Sequence, residues 1–358
     1  MINQRSASRG ADSILEIRGL HTSFFTSACE IPAVRGVDIA VRRGECLGVV
    51  GESGSGKSVT FLSALRLLAS TGRIKRGEII YGGHDLTKAS ASRLREVRGG
   101  EIAMIFQDPM SSLNPLMTIG AQIGEMIRAH GRSMNKNAVD ARTLELLSTV
   151  LIPEPEKRLR QYPHEFSGGM RQRAMIAMAL ACKPSLLIAD EPTTALDVSI
   201  QDQILKLLRR LQTDTGMSIV FITHDLGAVA ELCTRVVVMY AGLVMEESPI
   251  EPLFDAPLHP YTRGLLASIP GLSQDRSRRL IPIPGSPPDM SAAPDGCPFA
   301  PRCEHARNIC LSNPPALTPI VSDGQPDRLC RCWLYAPDAP RNPLNGGFLS
   351  KAAQGVES

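Results

Sequence analysis

Eight residues restrict this chain more than any others: Gly51, Glu52, Ser53, Gly54, Ser55, Gly56, Lys57 and Ser58. They fit the spacing G-x-x-x-x-G-K-[ST] of a phosphate-binding loop. That motif needs a strand before it and a helix after it. Glu45-Cys-Leu-Gly-Val-Val50 is a short apolar run, and Lys57 to Ala69 carries a helical pattern. Glycines let backbone N–H groups turn inward around a phosphate chain, and the helix N-terminus adds the positive end of its dipole. In such a loop Lys57 reaches the outer phosphates and the Ser58 hydroxyl ligates Mg²⁺.

The frame around the loop reads as α/β. Apolar runs at Ile102–Phe106, Leu186–Ala189 and Ile219–Thr223 predict buried strands of a parallel sheet covered on both faces. Ile200, Ile204, Leu207, Leu208 and Leu211 recur at helical spacing. Residues 13–41 predict short strands, with Val37, Ile39 and Val41 alternating against Asp38, Ala40 and Arg42. Val236–Tyr240 and Leu243–Glu246 flank Ala241-Gly242 as a hairpin. Between about 110 and 182 the strand signal vanishes, which predicts a helical insert. From about 255 prolines crowd in, at 257, 260, 270, 282, 284, 287 and 288, so long helices and central strands are not expected there. The expected division is a flexible N-terminus (1–12), a nucleotide-binding domain (13–255), a proline- and cysteine-rich C-terminal appendage (256–341) and a polar tail (342–358).

A second chemical piece is Leu186-Leu-Ile-Ala-Asp190-Glu191. An apolar strand delivers Asp190 to the sheet's C-terminal edge, where a carboxylate holds the magnesium hydration shell. Glu191 follows at once and can polarise an attacking water. On its own an Asp-Glu pair is a solvated strand end. Downstream of a phosphate loop the catalytic reading prevails.

Phe166-Ser167-Gly168-Gly169-Met170, placed between those two pieces and before a long helix, resembles the ABC signature Leu-Ser-Gly-Gly-Gln. Phe replaces Leu and Met replaces Gln, while Ser167 and both glycines are kept. Further ABC elements follow in order: Gln107 as the Q-loop glutamine, Ala195-Leu196-Asp197 as the D-loop, and His224 as the switch histidine. Phe24 and Phe25 lie where the family places its adenine-stacking ring, with Phe25 slightly preferred. Gln107-Asp-Pro-Met-Ser-Ser-Leu-Asn-Pro115, Tyr162-Pro-His-Glu-Phe166, His259-Pro-Tyr261, Ile283-Pro-Gly-Ser-Pro-Pro288 and Gly296-Cys-Pro-Phe-Ala-Pro-Arg-Cys303 narrow the resemblance to the ATPases of oligopeptide/dipeptide/nickel importers.

The resemblance implies a P-loop ABC core with an N-terminal antiparallel β subdomain and a helical subdomain. ATP and Mg²⁺ are the implied ligands, with Ser58, Gln107 and Asp190 on the metal and Glu191, His224 and Gln107 catalytic. It also implies a head-to-tail dimer with a second copy or a paralogue, in which Ser167-Gly168-Gly169 of one subunit closes over the nucleotide of the other. Two membrane permease subunits and an extracytoplasmic substrate-binding protein complete the assembly. The substrate stays open among peptides, nickel, opines, glutathione and short sugars.

Composition supports this reading. With 39 basic and 36 acidic residues, the net charge of +3 is too even for nucleic acid as the main partner. No run of about 18 or more apolar residues is present, so no spanning helix is expected. The N-terminus is polar, with Arg5 and Arg9, and no signal peptide is expected. The expected location is the cytoplasmic face of the cell membrane, held there by protein docking. Non-transport ABC ATPases usually carry two cassettes or a long coiled coil, P-loop kinases lack the signature, and exporters lack the appendage.

Five of the nine cysteines fall between Cys297 and Cys332. In a cytosolic chain such a cluster suggests metal more than disulfides. The gaps between Cys297, Cys303, Cys310 and Cys332 are five, six and twenty-one residues. Zinc sites use tighter pairs, whereas a four-thiolate iron–sulfur cluster tolerates irregular loops. Some peptide-importer ATPases resembling this segment carry a [4Fe-4S] cluster, and Cys332 fits the family's fourth position better than Cys330 because Trp333 follows it. Cluster, zinc, and reduced thiols or a disulfide all remain open.

Overall fold

A computed structural model describes residues 12–108, 112–130, 134–194, 196–269, 282–320 and 328–337. The expectations for residues 1–11, Ala195 and the tail from 342 lie outside the described residues. The strands are β1 (Ser13–Phe25), β2 (Glu30–Arg42), β3 (Cys46–Val50), β4 (Gly72–Tyr81), β5 (His84–Asp85), β6 (Ile102–Ile105), β7 (Leu186–Asp190), β8 (Ser218–Thr223), β9 (Arg235–Tyr240), β10 (Leu243–Pro249), β11 (Thr318–Ile320) and β12 (Arg328–Cys330). The chain divides into two compact units. One comprises 1–16, 40–46 and 80–223, the other 17–39, 47–79 and 224–358.

In the first unit β6, β7 and β8 pair in parallel, with Ile102 opposite Leu186 and Leu186 opposite Ser218. Leu186, Leu187, Ile188 and Ala189 are wholly buried, as are Ile219 to Ile222. This is why these strands read as unbroken apolar runs rather than alternations. Between Ile119 and Ala179 the described elements are all helical: the helices Ile119–His130, Lys136–Thr149, Pro155–Arg158 and Gly168–Ala179 and the 3-10 turn Pro163–Glu165. Among the described residues the strand-free stretch expected there is observed.

In the second unit β3 pairs in parallel with β9, and β10 and β12 continue antiparallel beyond it, with β11 at the edge. The β9–β10 hairpin turns through Ala241 (φ 48°) and Gly242 (φ 77°), the two left-handed residues of a type I′ turn. β1, β2 and β4 belong to a separate four-stranded sheet of order β2-β1-β4-β5. β1 and β2 are each 13 residues long, not the short strands expected. Polar His21-Thr22-Ser23 breaks the apolar pattern, but buried Thr22 Oγ1 hydrogen-bonds Ser63 Oγ at 2.9 Å and the strand runs through.

The helix after the phosphate loop ends at Ala64 rather than Ala69. Arg66 takes a left-handed conformation (φ 51°), and Leu67 N–H donates to Leu62 O at 2.8 Å. That closure is usually marked by glycine, so an arginine in its place leaves no stop signal to read.

Within the second unit the proline-rich region is tied to β10 through buried charge. Arg328 on β12 pairs with wholly buried Glu246 on β10 at 2.9 Å. Glu246 also accepts N–H bonds from Leu258 (3.0 Å) and His259 (2.8 Å). A buried carboxylate is tolerated only when its oxygens are satisfied in this way, and the same bonds fix residues 256–259 against β10.

Candidate nucleotide site

In the second unit β3 runs into Gly51, and Gly56 caps the helix Lys57–Ala64 in left-handed conformation. Two glycines are obligatory here. A Cβ on Gly51 would lie 2.1 Å from Met239 O, and one on Gly56 (φ 95°) would lie 2.5 Å from Ala33 O. Both sites put backbone where a side chain would have to go. Ser55 O accepts Gly242 N–H at 3.0 Å, so the hairpin turn braces the loop. Lys57 is 5% exposed, and its Nζ donates to Gly51 O at 2.7 Å and Glu52 O at 2.9 Å. The ammonium therefore lies over the loop rather than out in solvent. Ser58 follows in the first helical turn.

Phe25 is half-buried with the Lys75 ammonium 5.4 Å from its ring centroid, whereas Phe24 packs against the backbone at Gly72. His224 follows β8 directly and is exposed.

The first unit gathers the other set. Asp190 ends β7 and is 5% exposed. Glu191 sits at φ 47°, a conformation that costs an L-residue on the order of 1–2 kcal/mol. Its N–H donates to Ile222 O at 2.8 Å, which anchors the turn. Its Oε2 accepts from Gln107 Nε2 at 3.0 Å and from Thr194 Oγ1 at 2.9 Å. Gln107, just past β6, is thus joined to the carboxylate, and its Oε1 remains as the acceptor end. Strain held by this many bonds is the pattern of a functional turn. Thr194 was missed by sequence reasoning. A hydroxyl three residues after a glutamate is too common to signal a role.

Ser167 is exposed and caps the helix Gly168–Ala179, its Oγ accepting Met170 N–H at 3.4 Å. Asp197 is exposed at the start of the helix Val198–Thr215.

Cys297, Cys303, Cys310 and Cys332 line one small cavity with His259, Phe299 and Trp333, while buried Cys330 is not among its lining residues. Burial pushes the Cys297 thiol up to about 12 and Cys303 to about 11, and the neighbouring thiols push the same way. Cys332 is raised for the same reasons. Among the described residues no three His, Cys, Asp or Glu side chains are arranged to hold one metal ion, and no helix is long and apolar enough to cross a membrane.

Residues 34–194 match the family described as ABC transporter, and residues 245–310 match the oligopeptide/dipeptide transporter C-terminal region. The oligopeptide transport ATP-binding protein OppD of Bacillus subtilis is 51% identical over 92% of this chain and 90% of its own length. The dipeptide transport ATP-binding protein DppD of the same organism is 47% identical over 94% of this chain and 98% of its own. A solved ATP-binding cassette, a dimer in a post-hydrolysis state bound to ADP and phosphate, superposes with a TM-score of 0.60. It is 26% identical and covers 66% of this chain and 98% of the cassette.

Proposed function

The chain belongs to the ABC transporter ATPases of the oligopeptide/dipeptide branch and is the ATPase subunit of such an importer, and we propose that the residues described above divide its chemistry as follows. The phosphate loop from Gly51 through Glu52, Ser53, Gly54, Ser55 and Gly56 to Lys57 holds the triphosphate on N–H groups and one ammonium. Ser58, buried Asp190 and the Gln107 amide oxygen are hard oxygen donors, which suits Mg²⁺. The cation supplies charge neutralisation on the phosphate oxygens. Glu191 accepts the proton of the attacking water. Gln107 and Thr194 hold its carboxylate in one orientation, and His224 acts beside the terminal phosphate. Phe25 stacks on adenine. The observation that carries this reading is the loop itself: two glycines that no side chain can replace, opening a helix, with Lys57 folded over it.

Exposed Ser167 and Gly168, at a helix N-terminus, suit the nucleotide of a second ATPase subunit, with Gly169 and Asp197 supporting that contact. The dimeric cassette supports such a pair. Permease subunits dock near residues 108–125, where Leu116 is 85% exposed, and a binding protein delivers peptide outside. The chain then works at the cytoplasmic face of the membrane, with 13–255 as the nucleotide-binding domain and 256–341 as the appendage. Purified with its permeases and partner ATPase, the chain hydrolyses ATP only with Mg²⁺, and faster than it does alone. Equal rates alone and in the complex would contradict the docking.

Cys297, Cys303, Cys310 and Cys332 read as ligands of a [4Fe-4S] cluster. Support comes from their convergence on one cavity. Each thiolate of a cluster binds its own iron, so single-ion geometry is not required. The cluster would staple a segment too rich in proline to build its own core. Anaerobically purified protein is expected to be brown, with iron and sulfide, and to bleach with dithionite. Colourless, iron-free wild type would leave free thiols or a disulfide.

A further inference from the structure

Glu52 places a carboxylate inside a loop whose N–H groups hold anions. Arg302 grips it with a two-pronged fork: Nη1 donates to Oε2 at 2.7 Å and Nη2 to Oε1 at 3.0 Å. The two residues are 250 apart in the chain, and Arg302 belongs to the Cys297–Cys303 segment. All five guanidinium N–H groups are engaged. Nε donates to Pro284 O (2.9 Å), Nη1 also to Tyr240 Oη (3.1 Å) and Nη2 also to Ile283 O (3.3 Å). The Tyr240 and Phe299 rings lie 5.8 and 5.9 Å from the guanidinium. The arginine side chain is 5% exposed against 25% for Glu52. The same region holds the main chain too, because Tyr261 Oη accepts Glu52 N–H at 2.8 Å.

We propose that Arg302 is a positioning residue for ATP, neutralising and orienting Glu52 so that the phosphate loop meets the triphosphate without an unpaired carboxylate. The proposal rests on the ATPase reading above. A fully bonded guanidinium loses little freedom on holding its partner, so it is a fixed counter-charge rather than a mobile one. Without it, the Glu52 carboxylate repels the negative phosphate chain from a partly buried position. Nucleotide affinity thereby depends on how the Cys297–Cys303 segment is seated, although none of that segment is needed to touch phosphate.

The test is steady-state kinetics of the purified complex with Mg–ATP. Arg302→Ala is expected to raise KM about tenfold with kcat within about twofold, since the ground-state contact is lost and the chemistry is not. Adding Glu52→Gln to Arg302→Ala removes the orphaned charge and is expected to bring KM back within about threefold of wild type. A residue that merely props the fold would show no such rescue. Arg302→Lys, which keeps the stem among the rings, is expected to raise KM about threefold, again relieved by Glu52→Gln. It carries the test if the alanine variant does not fold. An unchanged KM in Arg302→Ala, or a raised KM that Glu52→Gln leaves in place, overturns the proposal. Wild-type complex that neither binds nor hydrolyses ATP overturns the ATPase reading instead, and Lys57→Ala marks what lost binding looks like.

Discussion

Glu191→Gln is expected to lower turnover by roughly 10²–10⁴-fold while Mg–ATP affinity stays within a few-fold of wild type. The substitution is nearly isosteric, and it leaves the phosphate loop, which lies elsewhere in the chain, intact. The left-handed backbone at position 191 is no worse for glutamine than for glutamate. Gln107 Nε2 and Thr194 Oγ1 keep an oxygen to bind, because the amide can present its carbonyl toward them. What disappears is the group proposed to take the water's proton. Binding by nucleotide fluorescence and phosphate release on the same preparation separate the two effects. Turnover near the wild-type rate would remove Glu191 from the role of base.

Lys57→Ala acts on the other side of the same chemistry. The ammonium is nearly buried and lies over the loop carbonyls at Gly51 and Glu52. A charged hydrogen bond of this kind is worth about 1.5–3 kcal/mol, and the variant also strips two carbonyls of their donor. A loss of roughly 10–100-fold in ATP affinity follows at about 1.4 kcal/mol per tenfold. Isothermal titration with Mg–ATP and with Mg–ADP checks it. The loss should be greater for ATP if Lys57 addresses the outermost phosphates, as proposed. Equal small losses for both nucleotides would place Lys57 outside the phosphate site.

How legible the protein was depended on distance along the chain. The phosphate loop, Asp190-Glu191 and the Ser167 cap are local: each is spelled within a few residues and anchored by a strand or helix that its own apolar pattern betrays. The hairpin at Ala241-Gly242 was legible for the same reason. Four features were not. The early helix stop at Ala64 depends on Arg66 adopting a conformation normally reserved for glycine. The length of β1 depends on a hydroxyl on a distant helix satisfying Thr22. Thr194 becomes visible only once the turn delivers its hydroxyl to Glu191. The Arg302–Glu52 pair spans 250 positions, and nothing near either residue foretells the other. In the cysteine segment composition showed that the thiols matter and the aromatic Trp333 favoured Cys332 over Cys330, and the fold places Cys332 but not Cys330 on the cavity wall.

Coupling of ATP hydrolysis in this chain to peptide movement is tested most directly in proteoliposomes. The complex is reconstituted with its permeases and binding protein, and a labelled peptide is supplied on the side of the binding protein. Peptide is expected to accumulate only when Mg–ATP is supplied on the side of this subunit, and Glu191→Gln in this chain alone is expected to abolish accumulation while ATP still binds. Accumulation that persists undiminished in Glu191→Gln, or that proceeds without ATP, would contradict the account.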